Sequence, residues 1–296
     1  MFAERYPADQ IADVLLDHES YRPFPTADDH RQWDALPPDL RQAALAAAED
    51  LRGMDWPPLP ASLYLDFSRT GDRRPYEQPY FRRRGSLGSL VIAECIDAQG
   101  RFLDDILNGI WAICEESSWC IPAHNWPRGL PDTTSPIIDL FAAETGNLLA
   151  WTRYLLRPQL DALDERILPR LRAEVKARIL DPFLSRRDFG WMGFNEGVSL
   201  NNWSPWCTSA CLASSLLLEL DEARRAEIVA KSLGILGRWL ATYHPDGGCD
   251  EGPSYWTVAG AALFDCLELL RTASDGAIDV YDDPLIGEIG RYIHRV

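Results

Sequence analysis

The side chains best suited to chemistry are concentrated in three segments of the sequence, residues 117–127, 188–206 and 243–256. Their Gly and Pro residues fix loop shapes, as functional loops on a rigid scaffold require. A single loop tryptophan is more often a packing anchor, because aromatic side chains dominate burial energetics. Six of the 11 tryptophans lie in these segments, and together they favour a sugar-binding surface. The polar candidates are His124, Asn125, Asn195, Glu196, Asn201, Asn202, Tyr243, His244, Asp246, Asp250, Glu251 and Tyr255.

Motifs of several enzyme classes are absent from the sequence. GSLGSL at residues 85–90 is a weak imitation of a phosphate-binding loop, because it lacks the Lys-Ser/Thr ending. There is no HExxH, and the five histidines are too scattered to predict a zinc site. There is no GxSxG. Two mechanisms remain, glycoside hydrolysis by paired carboxylates and β-elimination at a uronic acid, and we expect no metal and no cofactor.

Helices must position these segments. From residue 84 onward apolar runs of helical length follow one another, and the alternation typical of strands is almost absent. The Pro-Pro-Asp at residues 37–39 predicts the start of a helix, whereas the prolines of residues 56–60 and 75–79 are expected to break regular structure. Some runs, such as residues 259–270, are apolar around much of the helix, which is typical of burial on several sides.

The predicted fold class is therefore all-α, with repeated helix pairs that form an α/α toroid. If helices alternate in direction around it, the three segments gather at one end and form a cleft. We expect two parts in the chain. Residues 1–83 form an irregular segment with short helices that packs on the toroid, and residues 84–296 form the toroid with the catalytic cleft.

Two long stretches resemble the most distinctive segments of heparinase II/III-like polysaccharide lyases. They are SLNNWSPWCTSACLASSLLLEL at residues 199–220 and YHPDGGCDEGPSYWTVAGAALFDCLELL at residues 243–270. ESSWCIPAHNW at residues 116–126 resembles the upstream cleft segment of the same family. The resemblance runs from residue 84 to the end and implies an α/α toroid. It also implies a C-terminal β-sandwich domain that contributes a further His or Tyr, and we expect that domain to be missing because the chain stops at GRYIHRV.

The resemblance implies a catalytic pair. In the family, a toroid Asn neutralises the uronate carboxylate, and a later Tyr protonates the leaving glycosidic oxygen and in syn elimination also takes the C5 proton. Asn202 and Tyr255 match this pair, with Asn201 as the alternative neutraliser. An amide can stabilise the charge that builds on the carboxyl group, and a tyrosine hydroxyl can act as the acid. His124 is expected to assist as a second base or a carboxylate contact.

The other residues of the segments are expected to bind substrate, although each also has a structural interpretation. Asn201 and Asn202 suit a helix cap, His244 a turn, and Tyr255 the packing face of a helix. Glu196 and Glu251 suit either hydrolase carboxylates or loop supports. The expected substrate-binding residues are Trp119, Asn125, Trp126, Glu196, Trp203, Trp206, His244, Glu251 and Trp256.

We therefore expect a lyase that cleaves a uronic-acid-containing poly- or oligosaccharide by β-elimination. One alternative is an α/α-toroid glycoside hydrolase that uses Glu251 or Asp250 with another acid. The other is a carbohydrate-binding module that keeps the cleft without turnover.

The charge of the chain limits its partners. A net charge of −16, from 29 basic and 45 acidic side chains, argues against nucleic-acid binding. It also repels an acidic glycan at a distance, so such a partner must be bound by local groups or arrive as a short oligomer. The sequence does not indicate an oligomeric state.

Cysteine pattern and hydropathy indicate the compartment. The seven scattered cysteines form no CxxC pair and predict reduced, mostly buried thiols. No run approaches the roughly 18 apolar residues that a membrane span needs, so no membrane association is expected. MFAERYPADQ shows no secretory signal, and we expect a cytoplasmic protein, or a periplasmic one whose leader has been removed.

Overall fold

The computed structural model describes residues 2–296, and all regular structure in that range is helical. The predicted all-α class is therefore confirmed. Short non-α turns occupy Ala8–Gln10, Lys176–Leu180 and Gly190–Met192. The α-helices are α1 (Phe2–Arg5), α2 (Ile11–Val14), α3 (His30–Asp34), α4 (Pro38–Glu49), α5 (Ala61–Thr70), α6 (Arg74–Asp97), α7 (Leu103–Cys114), α8 (Leu140–Leu163), α9 (Ile167–Val175), α10 (Asp181–Ser185), α11 (Trp203–Leu218), α12 (Glu222–Thr242), α13 (Pro253–Trp256), α14 (Gly260–Ala273) and α15 (Pro284–Tyr292).

The chain divides into two compact units. The middle unit is Phe24–Arg178, and the terminal unit combines the N-terminal segment that ends at Pro23 with Ile179–Val296. The division into residues 1–83 and 84–296 concerns sequence pattern and stays a prediction.

In the middle unit, α6 is the central helix. It packs against α3, α4, α5, α7 and α8, and α9 packs against α7 and α8. Leu87, Leu90 and Cys95 of α6 are fully buried, as are Ile106 and Ile110 of α7. Burial of such side chains contributes about 1.5–3 kcal/mol each to folding.

The expectation that the prolines of residues 75–79 break regular structure is wrong, because α6 runs through them. Pro75 occupies the first turn, where a backbone N–H would have no helical acceptor. Pro79 lies inside the helix and removes one hydrogen bond. Its neighbours Tyr76 and Tyr80 bury their rings in an aromatic cluster with Tyr64, and this packing offsets the loss. Residues 56–60 are irregular, as expected.

Helix α8 begins at Leu140, after the apolar residues Ile137 and Ile138. Asp139 caps it, and its side chain accepts a hydrogen bond from the backbone N–H of Ala142. A capping carboxylate satisfies one of the free N–H groups of the first turn. The helix bends at Leu156, two residues before Pro158, where the backbone leaves the helical region.

In the terminal unit, α11 packs against α12 and α14, while α1, α2 and α10 pack against α12. Nearly every residue of α11 is buried, from Ser204 to Leu218, so this helix lies in the interior as its apolar pattern predicted. A turn at residues 257–259 separates α13 from α14. Phe264 of α14 is exposed, so this helix keeps one face in solvent.

All seven cysteines are free and buried, which confirms the prediction of reduced, buried thiols. No helix within residues 2–296 combines the length and the apolar character needed to cross a bilayer.

Candidate functional site

The two neighbouring asparagines at the start of α11 have different roles. The Oδ1 atom of Asn201 accepts a hydrogen bond from the backbone N–H of Trp203 at 3.1 Å, which is a local turn contact. Asn202 occupies the N-cap position, but its side chain makes no capping bond. Instead its Nδ2 donates to Oε2 of Glu251 at 2.5 Å. Asn202 is only 4% exposed, so this amide is held rigidly between two segments of the terminal unit.

Tyr255 lies on the single turn of α13, four residues after Glu251. Its side chain is 47% exposed. The next residue, Trp256, anchors this turn, because its indole N–H donates to the carbonyl of Ile289 at 2.9 Å. Its ring also lies so close to Gly260 that a Cβ there would be 2.5 Å from Nε1. Trp256 therefore holds the backbone while Tyr255 presents its phenol to solvent.

The electrostatics of Glu251 are perturbed. Partial removal from water raises the pKa of its carboxyl group, and the neighbouring charge of Asp250 raises it further. Both effects disfavour the ionised form. The Asn202 amide can donate to either form, because a neutral carboxyl group keeps an acceptor oxygen.

His244 belongs to a tight turn at the start of the third segment. Its Nδ1 lies 2.8 Å from Oδ1 of Asp246, and both side chains are exposed. The backbone N–H of Gly247 donates to the carbonyl of His244 at 3.0 Å. Gly247 has a φ of +75°, and a Cβ there would lie 2.3 Å from the backbone of Glu288. This position therefore requires glycine.

The other candidate residues of the second segment differ in their exposure to solvent. Glu196 is exposed, and Asn195 donates to the carbonyl of Asp188 at 3.4 Å. Trp203 and Trp206 are partly buried on α11. Neither tryptophan is as exposed as a free stacking platform would be.

In the middle unit, His124 is oriented by a carboxylate. Its Nδ1 lies 2.7 Å from Oδ2 of Asp139, which is 1% exposed and caps α8 through its other oxygen. The imidazole also stacks on Phe141, with ring centroids 5.6 Å apart. A carboxylate at Nδ1 fixes the tautomer in which Nε2 can act as a base. Sequence reasoning missed Asp139, although an aspartate directly before an apolar helix is a cap signal.

The other candidates of the first segment have structural contacts. Trp119 is buried and its indole N–H donates to the carbonyl of Ile113 at 2.9 Å. Asn125 shapes its own loop, since Nδ2 donates to the carbonyls of Pro127 and Gly129. Trp126 is 76% exposed and is the one aromatic side chain of this segment that is open to solvent.

Two neighbouring cavities of the middle unit share part of their lining and, except for Trp119, contain none of the residues singled out by sequence. Their volumes are about 580 and 630 Å³, which is within the usual range for ligand pockets. Both are lined by the segment from Glu115 to Ser118. Trp56, Tyr76 and Arg83 line the smaller cavity.

Comparison with known proteins adds no identification: the sequence matches no protein-family model and no curated protein. Within residues 2–296, no group of three or more His, Cys, Asp or Glu side chains is placed to hold a metal ion.

Proposed function

We propose that this protein is a lyase that cleaves a uronic-acid-containing glycan by β-elimination, with its helices arranged as an α/α toroid of the heparinase II/III-like kind. The observation that supports this best is the hydrogen bond between Asn202 and Glu251. It joins the segment before α11 to the segment that carries Tyr255, within one compact unit. Asn202, Glu251 and Tyr255 all belong to the terminal unit.

Asn202 would stabilise the charge that develops on the uronate carboxyl group. An amide has two N–H groups, and Glu251 uses one of them. The second can donate to the substrate carboxylate. Because Asn202 is buried and already held in place, its dipole needs little reorganisation when the C5 proton leaves, which is the condition for effective electrostatic stabilisation.

Tyr255 would donate a proton to the leaving glycosidic oxygen. Its exposed position on α13 leaves the phenol accessible to a polymer. In syn elimination, which starts from the phenolate, this oxygen first accepts the C5 proton, the C4–O bond breaks, and the phenol so formed gives that proton to the departing oxygen. The products are an unsaturated uronate and a new chain end.

Glu251 would support the reaction as a neutral carboxyl group that holds the Asn202 amide in place. An ionised Glu251 would repel the substrate carboxylate beside Asn202, whereas a protonated one would not. The raised pKa of Glu251 extends the range in which the neutral form is present. His124 lies in the middle unit, and its assisting role stays a separate prediction that the proposed reaction does not use.

The test is formation of an unsaturated product, followed by its ultraviolet absorbance, from uronate polymers. Tyr255→Phe removes only the hydroxyl and is expected to reduce the rate by about 10²-fold or more, the usual contribution of acid–base catalysis. Tyr281→Phe is the matched control, because Tyr281 lies in the same unit and its hydroxyl donates to Glu268.

A second candidate function is favoured by the raised pKa of Glu251 beside Asp250. A glycoside hydrolase needs a carboxyl group that stays protonated to act as general acid. Its product would be a reducing sugar without a double bond. Glu251→Gln separates the two functions, because it would abolish hydrolysis at every pH but would leave β-elimination intact.

A further inference from the structure

The smaller of the two neighbouring cavities combines an aromatic wall with a buried cation. Its volume is about 580 Å³. Trp56 and Tyr64 line it together with Pro58 and Pro60, and its polar lining includes Tyr76 and Arg83 of α6 and the acids Glu115 and Glu116. We call it the Arg83 cavity. The predicted site residues of the sequence do not line it.

Arg83 is only 8% exposed, and its guanidinium group is incompletely satisfied by protein. Nε donates to the carbonyl of Pro57 at 2.7 Å, and Nη1 donates to the carbonyl of Ala112 at 2.8 Å and to Glu116 at 3.1 Å. Nη2 has no hydrogen-bond acceptor within residues 2–296. Two N–H groups of a buried cation are therefore left for a ligand.

The charges around Arg83 do not balance. Arg84 pairs with the same carboxylate, with Nη2 at 2.7 Å from Oε2 of Glu116. Both guanidinium side chains are 10% exposed and that of Glu116 is 2% exposed. Two buried cations thus share one buried anion. A buried charge without a full partner is unfavourable, so an anionic group in the cavity would be stabilised.

Tyr76 supplies a second donor. Its side chain is 4% exposed, and its hydroxyl has no hydrogen-bond partner in the described range. Burial, and after it the charge of Glu116, raises the pKa of Tyr76 far above its usual value. The hydroxyl therefore keeps its proton at neutral pH and can donate to an acceptor. By contrast, the hydroxyl of Tyr64 already donates to the carbonyl of Cys120 at 3.0 Å.

We propose that the Arg83 cavity binds the carboxylate of a sugar acid, with Arg83 Nη2 and Tyr76 Oη as its donors and the Trp56 and Tyr64 rings against the sugar. The wall of aromatic and proline side chains fits the apolar face of a pyranose ring. This site lies in the middle unit and is independent of the roles of Asn202 and Tyr255. It also supplies local groups that can hold an acidic ligand despite the net charge of −16.

Glu115 allows a control in which removal of a charge is expected to strengthen binding. It also lines the cavity, but it is exposed to solvent. Its charge repels a carboxylate ligand, although solvent and salt weaken the effect. Removing this charge should therefore tighten binding of an anion and leave binding of a neutral sugar unchanged.

The experiment is a titration of the full chain with D-glucuronate, D-glucose and acetate, followed by NMR or calorimetry. We expect glucuronate to bind about tenfold or more tightly than glucose, since a hydrogen bond to a charged group contributes that much. We expect acetate to bind more weakly than glucuronate because it lacks the ring. Tyr76→Phe should weaken glucuronate binding about tenfold, Glu115→Gln should strengthen it, and Tyr281→Phe, in the terminal unit, should leave it unchanged.

Three results would overturn the proposal. They are equal binding of glucose and glucuronate, no binding of glucuronate by a chain with native helical content, and unchanged glucuronate affinity in Tyr76→Phe. The effect of Tyr255→Phe on activity has no bearing on these binding measurements. The proposed binding site and the proposed reaction are therefore tested independently.

Discussion

The side-chain amide of Asn202 donates to the carboxyl group of Glu251, and this contact joins two segments that are 49 residues apart in the chain. The side chain of Asn202 makes no capping bond, and the local side-chain bond at the start of α11 is made by Asn201. The pair is therefore the structural basis for assigning a carboxylate-stabilising role to Asn202.

The pH dependence of turnover should depend on Glu251. Its pKa is raised, so the group is neutral at low pH and becomes charged as the pH rises through that pKa. The ionised form repels the substrate carboxylate, so kcat/KM should fall over this range. Glu251→Gln keeps an acceptor for Asn202 without the charge, and its rate should stay constant there. A pH–rate profile of both forms tests this, and an inactive Glu251→Gln at all pH values would favour hydrolysis instead.

Substitution of Asn202 should lower activity, whereas substitution of Asn201 should lower stability. Asn202→Ala removes the stabilising amide and should lower kcat by about 10²–10³-fold, as removal of an oxyanion-hole donor does. Asn201→Ala removes only the bond to the Trp203 N–H and should lower the free energy of unfolding by about 1 kcal/mol while activity is retained. Initial rates and denaturant unfolding of the two variants provide the measurement. The opposite pattern would transfer the role to Asn201.

Asp139 should control the tautomer of His124. In the native protein the carboxylate favours a proton on Nδ1, at 2.7 Å. Asp139→Asn keeps a good helix cap for Ala142, but its NH₂ group would face Nδ1 and move the proton to Nε2. Nitrogen-15 NMR of the imidazole reports this directly. If the tautomer does not change, Asp139 acts only as the cap of α8.

Gly247→Ala should be strongly destabilising because the turn has no room for a side chain. The new Cβ would lie 2.3 Å from the backbone of Glu288. Gly71 has the same φ of +75° with nothing within 4 Å of its Cβ position, so Gly71→Ala is the matched control for backbone strain alone. We expect losses of about 3 kcal/mol for Gly247→Ala and about 1 kcal/mol for Gly71→Ala. Equal losses in denaturant unfolding would show that the close approach to Glu288 is unimportant.

The helical class could be predicted from the sequence because local periodicity carries that information. The start of α4 at Pro38 followed from its Pro-Pro-Asp signal. The path of α6 through Pro79 could not be predicted, because it depends on ring packing with Tyr64, which comes from another helix. Tertiary packing here overrides a local preference.

The segments that carry the candidate site could be predicted from the sequence, but the contacts that their side chains make with distant residues could not. Asn202 and Tyr255 were singled out by residue type and resemblance. The contact of Asn202 with Glu251, the pairing of His124 with Asp139 across 15 residues and that of Arg83 with Glu116 across 33 depend on how the helices pack. No local pattern in the sequence encodes such pairings. The tryptophans show the same limit, since Trp119 is a buried anchor whereas Trp126 is exposed.

The most direct test of the proposed function is the ultraviolet absorbance of unsaturated products formed from uronate polymers by the wild-type chain and by Tyr255→Phe. We predict a steady increase in absorbance with the wild type, with a rate about 10²-fold or more lower in Tyr255→Phe and unchanged in Tyr281→Phe. New reducing ends without an increase in absorbance, or an increase that is unchanged in Tyr255→Phe, would contradict the assignment of β-elimination to Tyr255.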